Sequence, residues 1–174
     1  SDTVASRLAR LTVLDAEGRA VTLGGSWADR KAVLAFAATR LNLLPQQVAD
    51  LAANQPGIER RGAALVVVGP GRPEHLEAFR EVTGYAGPLY ADPSLQTFRA
   101  AGLAYGWGKT FHPGSILKGL RAFAKGFRQG ARRGNPVQQG GVFVLGPADR
   151  VRYEWRDRFA GDHAPMSDVV AALS

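Results

Sequence analysis

Residues 33–51 read VLAFAATRLNLLPQQVADL, and this stretch decides the fold. Its opening belongs to an apolar run from Ala32 to Ala37, which is typical of a strand covered on both faces of a sheet. A short turn follows, and then a helix that is predicted to begin at about residue 43 or 44. Asn42 is a suitable N-cap for this helix, and Pro45 suits its first turn.

The rest of the chain repeats this alternation of strands and helices. A hairpin is predicted over residues 10–15 and 20–23, where Gly18 supplies the turn, and a second one near the end of the chain. The other predicted elements are a strand at 63–68, helices at 73–82, 94–101 and 166–173, and the strands of the second hairpin at 142–145 and 151–155. Asp92 or Ser94 is expected to cap the helix at 94–101. This order favours a single α/β domain over 1–174, with a mixed sheet flanked by helices.

The composition is that of an ordinary globular protein. The chain has 174 residues, 45% of them hydrophobic and 21% charged, which suits one domain with a core of normal size. No run approaches the roughly 18 apolar residues of a spanning helix. The first residues lack the basic-then-apolar pattern of a signal peptide, so the cytoplasm is the expected compartment.

The net charge of +7 is concentrated in one region, because no Asp or Glu occurs between Pro93 and Ala148. Within it, residues 104–135 are predicted to be an insertion consisting of a loop and a basic amphipathic helix. The apolar stripe of this helix consists of Ile116, Leu120, Phe123 and Phe127, and its basic face of Lys118, Arg121, Lys125, Arg128 and Arg132. The helix either packs on the domain like a lid or forms a dimer or partner surface. Contact with an anionic membrane is less favoured, and nucleic acid is not expected because no binding motif accompanies the charge.

Four further segments in order resemble the peroxiredoxin-like AhpC/TSA family, and in particular its peroxiredoxin-like 2, or selenoprotein-U-like, branch. They are residues 21–29, 63–71, 90–103 and 139–146, the last followed by the motif at 161–165. The resemblance implies a thioredoxin-like fold. In that family the strand-to-helix junction carries a C-x-x-C motif or a single peroxidatic cysteine. Here the junction reads Leu-Asn-Leu-Leu at 41–44, and the whole chain contains no cysteine. Because a thiolate is the nucleophile of thiol redox chemistry, this chain acting alone is not a thiol peroxidase.

The same resemblance implies that the working site lies at the N-terminus of the helix after the core strand. Leu41 and Leu44 would form its apolar floor, and the turn at 137–140 would lie across from it. The residues that would line the pocket are Thr39, Leu41, Asn42, Leu44, Gln46, Tyr105, Trp107, Gln138 and Gln139. Two interpretations stay open. The site is either a dead centre filled with leucine for stability, or a repurposed pocket with apolar walls and a few polar groups.

Three residues are candidates for catalysis in such a pocket. His112 is the candidate general acid or base, since an unperturbed imidazole titrates near pH 6.5; the alternative is an ordinary surface histidine. Arg40 or Lys109 would orient an oxygen anion. Asp162 and His163 are instead expected at the N-cap and first turn of the last helix. The three histidines have no ligand spacing, so neither a metal nor another cofactor is expected.

Two functions of different classes follow from the sequence. One is a cofactor-independent isomerase, cyclase or lyase that acts on a mostly apolar small molecule in bacterial biosynthesis, either as a monomer or as a homodimer. The other is a non-catalytic, redox-dead binding or scaffold protein that acts through its basic helix.

Overall fold

A computed structural model describes residues 2–37, 46–106, 137–158 and 162–174. Its strands are β1 (Thr12–Leu14), β2 (Ala20–Thr22), β3 (Ala32–Phe36), β4 (Ala64–Gly69), β5 (Leu89–Ala91), β6 (Tyr105–Gly106), β7 (Val137–Gln138), β8 (Gly141–Leu145) and β9 (Val151–Arg156). Its α-helices are α1 (Val4–Ala9), α2 (Gln46–Arg60), α3 (Leu76–Thr83), α4 (Gln96–Ala100) and α5 (Met166–Ala171). Short 3-10 helices cover Leu23–Ser26 and Pro73–His75.

Seven of the strands form one mixed sheet in the order β2-β1-β5-β4-β3-β8-β9. Strands β3, β4 and β5 are parallel to one another, whereas β8 and β9 continue the sheet in antiparallel fashion on one side. On the other side, β1 pairs antiparallel with both β5 and β2. Strands β6 and β7 form a separate antiparallel pair. The mixed sheet expected from the sequence is therefore confirmed.

Helices cover both faces of the inner strand β3, and its side chains alternate between two cores. Val33 and Ala35 pack in a cluster with residues of α2, α3 and α5. Leu34 and Phe36 pack in a second cluster with residues of α1, α4 and the 3-10 helix at 23–26. All five residues of β3 are buried, which explains why the strand reads as an unbroken apolar run rather than as an alternating one.

The predicted elements are confirmed within the described residues, and the structure adds short ones. The N-cap residue of α4 is Leu95 rather than Asp92 or Ser94. Both predicted side chains nevertheless bond the first turn: the Asp92 carboxylate accepts the Thr97 N–H at 2.8 Å, and the Ser94 hydroxyl accepts the Gln96 N–H at 3.3 Å. Helix α1, the 3-10 helix at 23–26 and strands β5, β6 and β7 have no counterpart in the prediction. The predicted start of α2 and the predicted basic helix lie outside the described residues. None of the described helices is long and apolar enough to cross a bilayer.

Candidate functional site

The candidate site lies at the edge of the sheet where the parallel strands end. Strand register places Phe36, Gly141 and Arg156 side by side across β3, β8 and β9. The residue after β3 is Ala37, and the residue after β9 is Asp157. Because neighbouring strands lie about 4.8 Å apart, Asp157 is two strand spacings, or about 10 Å, from the end of β3. Val48 in the first turn of α2 belongs to the same core cluster as Ala37, which places the start of this helix near the edge.

Two buried glutamines tie together the segments that form the edge. Gln138 and Gln139 are 1% and 6% exposed. The Gln139 side-chain oxygen accepts the Ala104 N–H at 2.7 Å, and its amide nitrogen donates to the carbonyl of Asp157. The Gln138 amide nitrogen donates to the Ala104 carbonyl at 2.9 Å. Since buried backbone groups are costly to leave unpaired, these bonds fix three chain segments relative to one another.

Asp157 is held by its backbone at this junction, and its carboxyl group points to the α2 side of the sheet. Its N–H donates to the Gly140 carbonyl at 3.0 Å. The Trp155 indole N–H donates to its Oδ1 atom at 3.2 Å. Trp155 packs against the cluster that contains Val48 of α2, so Asp157 continues the inward-facing row of β9.

Burial raises the pKa of Asp157 to about 7, because desolvation penalises the charged carboxylate. The nearby Asp162 carboxylate also raises this pKa, whereas the hydrogen bond from the Trp155 indole lowers it. A carboxyl group with such a pKa exists in both protonation states near neutral pH. It is thus a group that can hold or release a proton at this edge.

Asp162 serves a different purpose from the one expected. It was predicted at the N-cap of the last helix, but α5 begins at Met166 and its N-cap is Pro165. Asp162 instead accepts the backbone N–H of Arg158 at 2.9 Å and its guanidinium Nε at 3.1 Å. The pair joins Arg158, two residues after β9, to the segment before α5, and the Arg158 guanidinium lies 5.4 Å from the centre of the Trp155 ring. The N-cap prediction is therefore wrong, because the carboxylate is taken by a nearer charged partner.

The first turn of α2 is joined to the segment before α5. The Gln47 side-chain oxygen accepts the Ala164 N–H at 2.7 Å, and its amide nitrogen donates to the Ala164 carbonyl at 3.2 Å. This two-way bond positions residues 162–165 beside α2. The Asp162–Arg158 pair is thereby brought close to the same edge of the sheet.

Two of the sequence-predicted site residues, Gln138 and Gln139, are described with their side chains and lie at this edge. Their described bonds are to the backbone, and direct contact with a ligand stays a prediction. Gln46 begins α2, and Tyr105 begins β6 and is paired with Gln138 of β7. The remaining predicted residues lie outside the described part of the chain: Thr39, Arg40, Leu41, Asn42, Leu44, Trp107, Lys109 and His112.

Sequence reasoning missed Asp157. The signal was present in the period-two pattern of β9, in which Tyr153 and Trp155 alternate with exposed Glu154. Continuing this pattern by two residues places Asp157 on the inward face. Elsewhere in the described residues, no group of three His, Asp or Glu side chains is arranged as a metal site.

Comparison of the chain with known proteins identifies its relatives. The family described as AhpC/TSA antioxidant enzyme matches residues 50–159. The chain is 34% identical to the thioredoxin-like protein AAED1, chloroplastic, of Arabidopsis thaliana, over 97% of this chain and 72% of the relative. It is 32% identical to the peroxiredoxin-like 2C protein of Mus musculus, over 96% of this chain and 79% of that protein.

Two other comparisons bear on function and on fold. The prostamide/prostaglandin F synthase of Bos taurus is 28% identical over 90% of this chain and 80% of its own length. The solved structure of peroxiredoxin Q from Xanthomonas campestris superposes with a TM-score of 0.65 at 20% identity, covering 99% of this chain and 97% of that one. This likeness confirms the thioredoxin-like peroxiredoxin fold. The chain thus belongs to the AhpC/TSA family of peroxiredoxin-like proteins, as a member without cysteine.

Proposed function

We propose that this protein binds a mostly apolar small molecule at the carboxyl edge of its sheet and converts it without thiol chemistry. The reaction would be an isomerisation, cyclisation or elimination in a bacterial biosynthetic pathway, carried out in the cytoplasm and without a cofactor. The observation that carries the proposal is the edge itself, which holds a titrating carboxyl group and two buried glutamines in a chain with no cysteine. Such convergence of polar groups beside apolar residues is the usual composition of a small-molecule site.

One set of relatives supports chemistry other than peroxide reduction. The Bos taurus relative is named for the synthesis of prostaglandin F. Its name describes the formation of a small molecule, and this chain aligns with most of its length. We extend to this chain only the class of function, an enzyme that forms a small-molecule product.

Roles follow from the residue types predicted at the site. Arg40 or Lys109 would orient an oxygen anion of the substrate, and His112 would move a proton. Leu41 and Leu44 would supply the apolar floor. The other lining residues would be Thr39, Asn42, Gln46, Tyr105, Trp107, Gln138 and Gln139.

The proposal is tested in the native host by deleting the gene and comparing extracted metabolites. A product should disappear and return when the wild-type gene is restored. Restoring Arg40→Ala, Lys109→Ala or His112→Ala singly should return less of it, whereas Arg61→Ala, an exposed residue at the far end of α2, should return it in full. An unchanged product level with all three site variants would contradict the proposal.

A second candidate function, a non-catalytic binding protein, is favoured by the position of the charge. Residues 107–136 contain seven Lys and Arg residues and no acidic one, while the rest of the chain has fifteen basic and fifteen acidic residues. The whole net charge therefore lies in this segment, which suits an acidic partner. Binding of this kind would weaken with salt. Reversing the charge of Arg121, Lys125 and Arg128 to Glu should abolish partner recovery at low salt, and partner recovery that survives would contradict this function.

A further inference from the structure

The carboxyl group of Asp157 is fixed in place but only partly satisfied. Its residue is pinned through both backbone groups, to Gly140 and to the Gln139 side chain. Its Oδ1 atom accepts the indole N–H of Trp155. Its Oδ2 atom has no hydrogen-bond partner among the described residues. Because the residue is half-buried rather than sealed, the described part of the chain leaves this second oxygen open toward the edge.

The charged groups around Asp157 do not neutralise it. Arg158, the next residue, is engaged with Asp162, and the Asp162 carboxylate acts on Asp157 as a like charge. From β7 and the turn into β8 the neighbours are the uncharged Gln138 and Gln139. The first turn of α2 contributes the uncharged Gln47, whose side chain is bonded to Ala164.

In these surroundings a large share of the Asp157 side chains carries a proton at neutral pH. Burial raises the pKa of Asp157 to about 7, so the acid and the carboxylate are comparably populated at neutral pH. The acid form is a hydrogen-bond donor, whereas the carboxylate only accepts. An oxygen anion would therefore be attracted to the acid and repelled by the carboxylate.

We propose that Asp157 is a proton-exchanging group of the site, and that its protonated carboxyl donates a hydrogen bond to an oxygen atom of an apolar ligand. The ligand class is an apolar molecule with a carboxylate, sulfonate or enolate oxygen. The proton-exchange half rests on the burial, the hydrogen bonds and the raised pKa of Asp157, while the ligand half of the inference rests on the proposed function. Asp157 is thus a second candidate proton donor at the site, beside His112, which was the one candidate from the sequence.

The proton-exchange half is tested without any ligand. In ¹⁵N-labelled protein, the indole N–H resonance of Trp155 should shift with pH with a midpoint near 7, because this N–H donates to the titrating carboxyl. The shift should vanish in Asp157→Asn, which preserves the oxygen acceptor, and persist in Asp168→Asn, which removes an exposed carboxylate of α5. A resonance that does not move between pH 5 and 9, or that moves equally in Asp157→Asn, would overturn the inference.

The ligand half is tested with anilinonaphthalene sulfonate, an apolar anion whose charge is constant over this pH range. If binding requires the acid form, the ratio of Kd at pH 8 to Kd at pH 6 should be about tenfold larger in the wild type than in Asp157→Asn. The comparison cancels the contribution of histidines, which are the same in both proteins. If both proteins bind the probe and show the same ratio, the role of Asp157 is contradicted while the proposed apolar site is not. Absence of binding at both pH values would contradict the proposed apolar site, and with it the ligand half, while the indole titration still decides the proton-exchange half.

Discussion

At the scale of single residues, Asp157 shows how tertiary neighbours change the chemistry of an ordinary side chain. In the sequence it is one acid in a charged run after β9. In the fold it lies beside Trp155 on the inward face and close to Asp162, and these surroundings disfavour its charged form. Because the folded protein disfavours the charged form of this carboxyl group, Asp157 should lower the stability of the protein wherever the unfolded chain would ionise it.

The stability of the protein should therefore depend on pH through Asp157. In the unfolded chain this carboxyl ionises near its ordinary pKa of about 4, whereas in the folded protein it keeps its proton until about pH 7. The folded state thus loses stability as the pH rises between these values, and the loss is complete above them. Three pKa units correspond to about 4 kcal/mol, and partial exposure reduces the expected loss to about 2 kcal/mol.

The variant Asp157→Asn should remove this loss. The free energy of unfolding of the variant minus that of the wild type, both measured in urea, should be about 2 kcal/mol larger at pH 8 than at pH 4.5. Other carboxyl groups contribute equally to both proteins and cancel in the comparison. A wild type and variant whose stabilities run parallel across this range would show that Asp157 titrates normally.

Gln139 gives a second prediction at this scale, because its side chain satisfies one buried N–H and one carbonyl. Gln139→Met keeps most of the volume but leaves both backbone groups without their partner. The expected loss in free energy of unfolding is about 2–4 kcal/mol. The control is Gln96→Met on the exposed side of α4, which should change stability by less than about 0.5 kcal/mol. Equal effects of the two substitutions would mean that Gln139 does not clamp the edge.

At the scale of elements, the sequence predicted those with a strong period or a clear cap. The apolar run of β3 and the bond from Asp92 to the first turn of α4 agree with the prediction. Helix α3 ends before Gly84, which adopts the left-handed conformation with φ 72°. The missed elements are short. Strand β5 has three residues, too few to show a period, and α1 has six. Their stability comes from pairing with β4 and packing on the core, which no local pattern reveals.

The contact between α1 and the 3-10 helix at 23–26 provides a prediction at this scale, because two adjacent glycines differ only in their surroundings. A Cβ atom on Gly24 would lie 2.7 Å from the Ala9 carbonyl oxygen, whereas a Cβ atom on Gly25 would meet nothing within 4 Å. Gly24→Ala should therefore cost about 1–3 kcal/mol of unfolding free energy, since backbone must move. Gly25→Ala should be nearly neutral. Matching losses in denaturant titrations of the two variants would contradict the packing of α1.

At the scale of the whole molecule, the sequence predicted the sheet, its two covered faces and the family, but only part of the site. The fold follows from apolar runs and family-like segments spread over the chain. Several of them in the right order are enough to predict it, although each one alone is weak. The site depends on which loops meet, and the pairing of Gln139 with Ala104 and Asp157 joins segments far apart in sequence. A glutamine shows no sequence pattern that identifies the distant backbone groups it will bond. These contacts of Gln139 could therefore be found only in the structure.

The paired ends of β6 and β7 allow the charged segment to be tested as a separable unit. Gly106 and Val137 are directly opposite one another in this antiparallel pair. An Asn-Gly turn replacing residues 107–136 should therefore close the pair with favourable geometry. The shortened chain should keep its circular dichroism spectrum and cooperative thermal unfolding, although its net charge falls from +7 to zero. Loss of cooperative unfolding would show that the segment is part of the core instead.

The central claim, that a small-molecule site replaces the thiol centre, is tested most directly by ligand capture. The protein is purified from its native host beside a Leu41→Arg variant, and the material released on denaturation is analysed by mass spectrometry. If the site binds a small molecule, a discrete compound should be released from the wild type and not from the variant, because an arginine would place a charge on the apolar floor. A wild-type protein that releases nothing, or releases the same molecule as the variant, would contradict a ligand site at this edge.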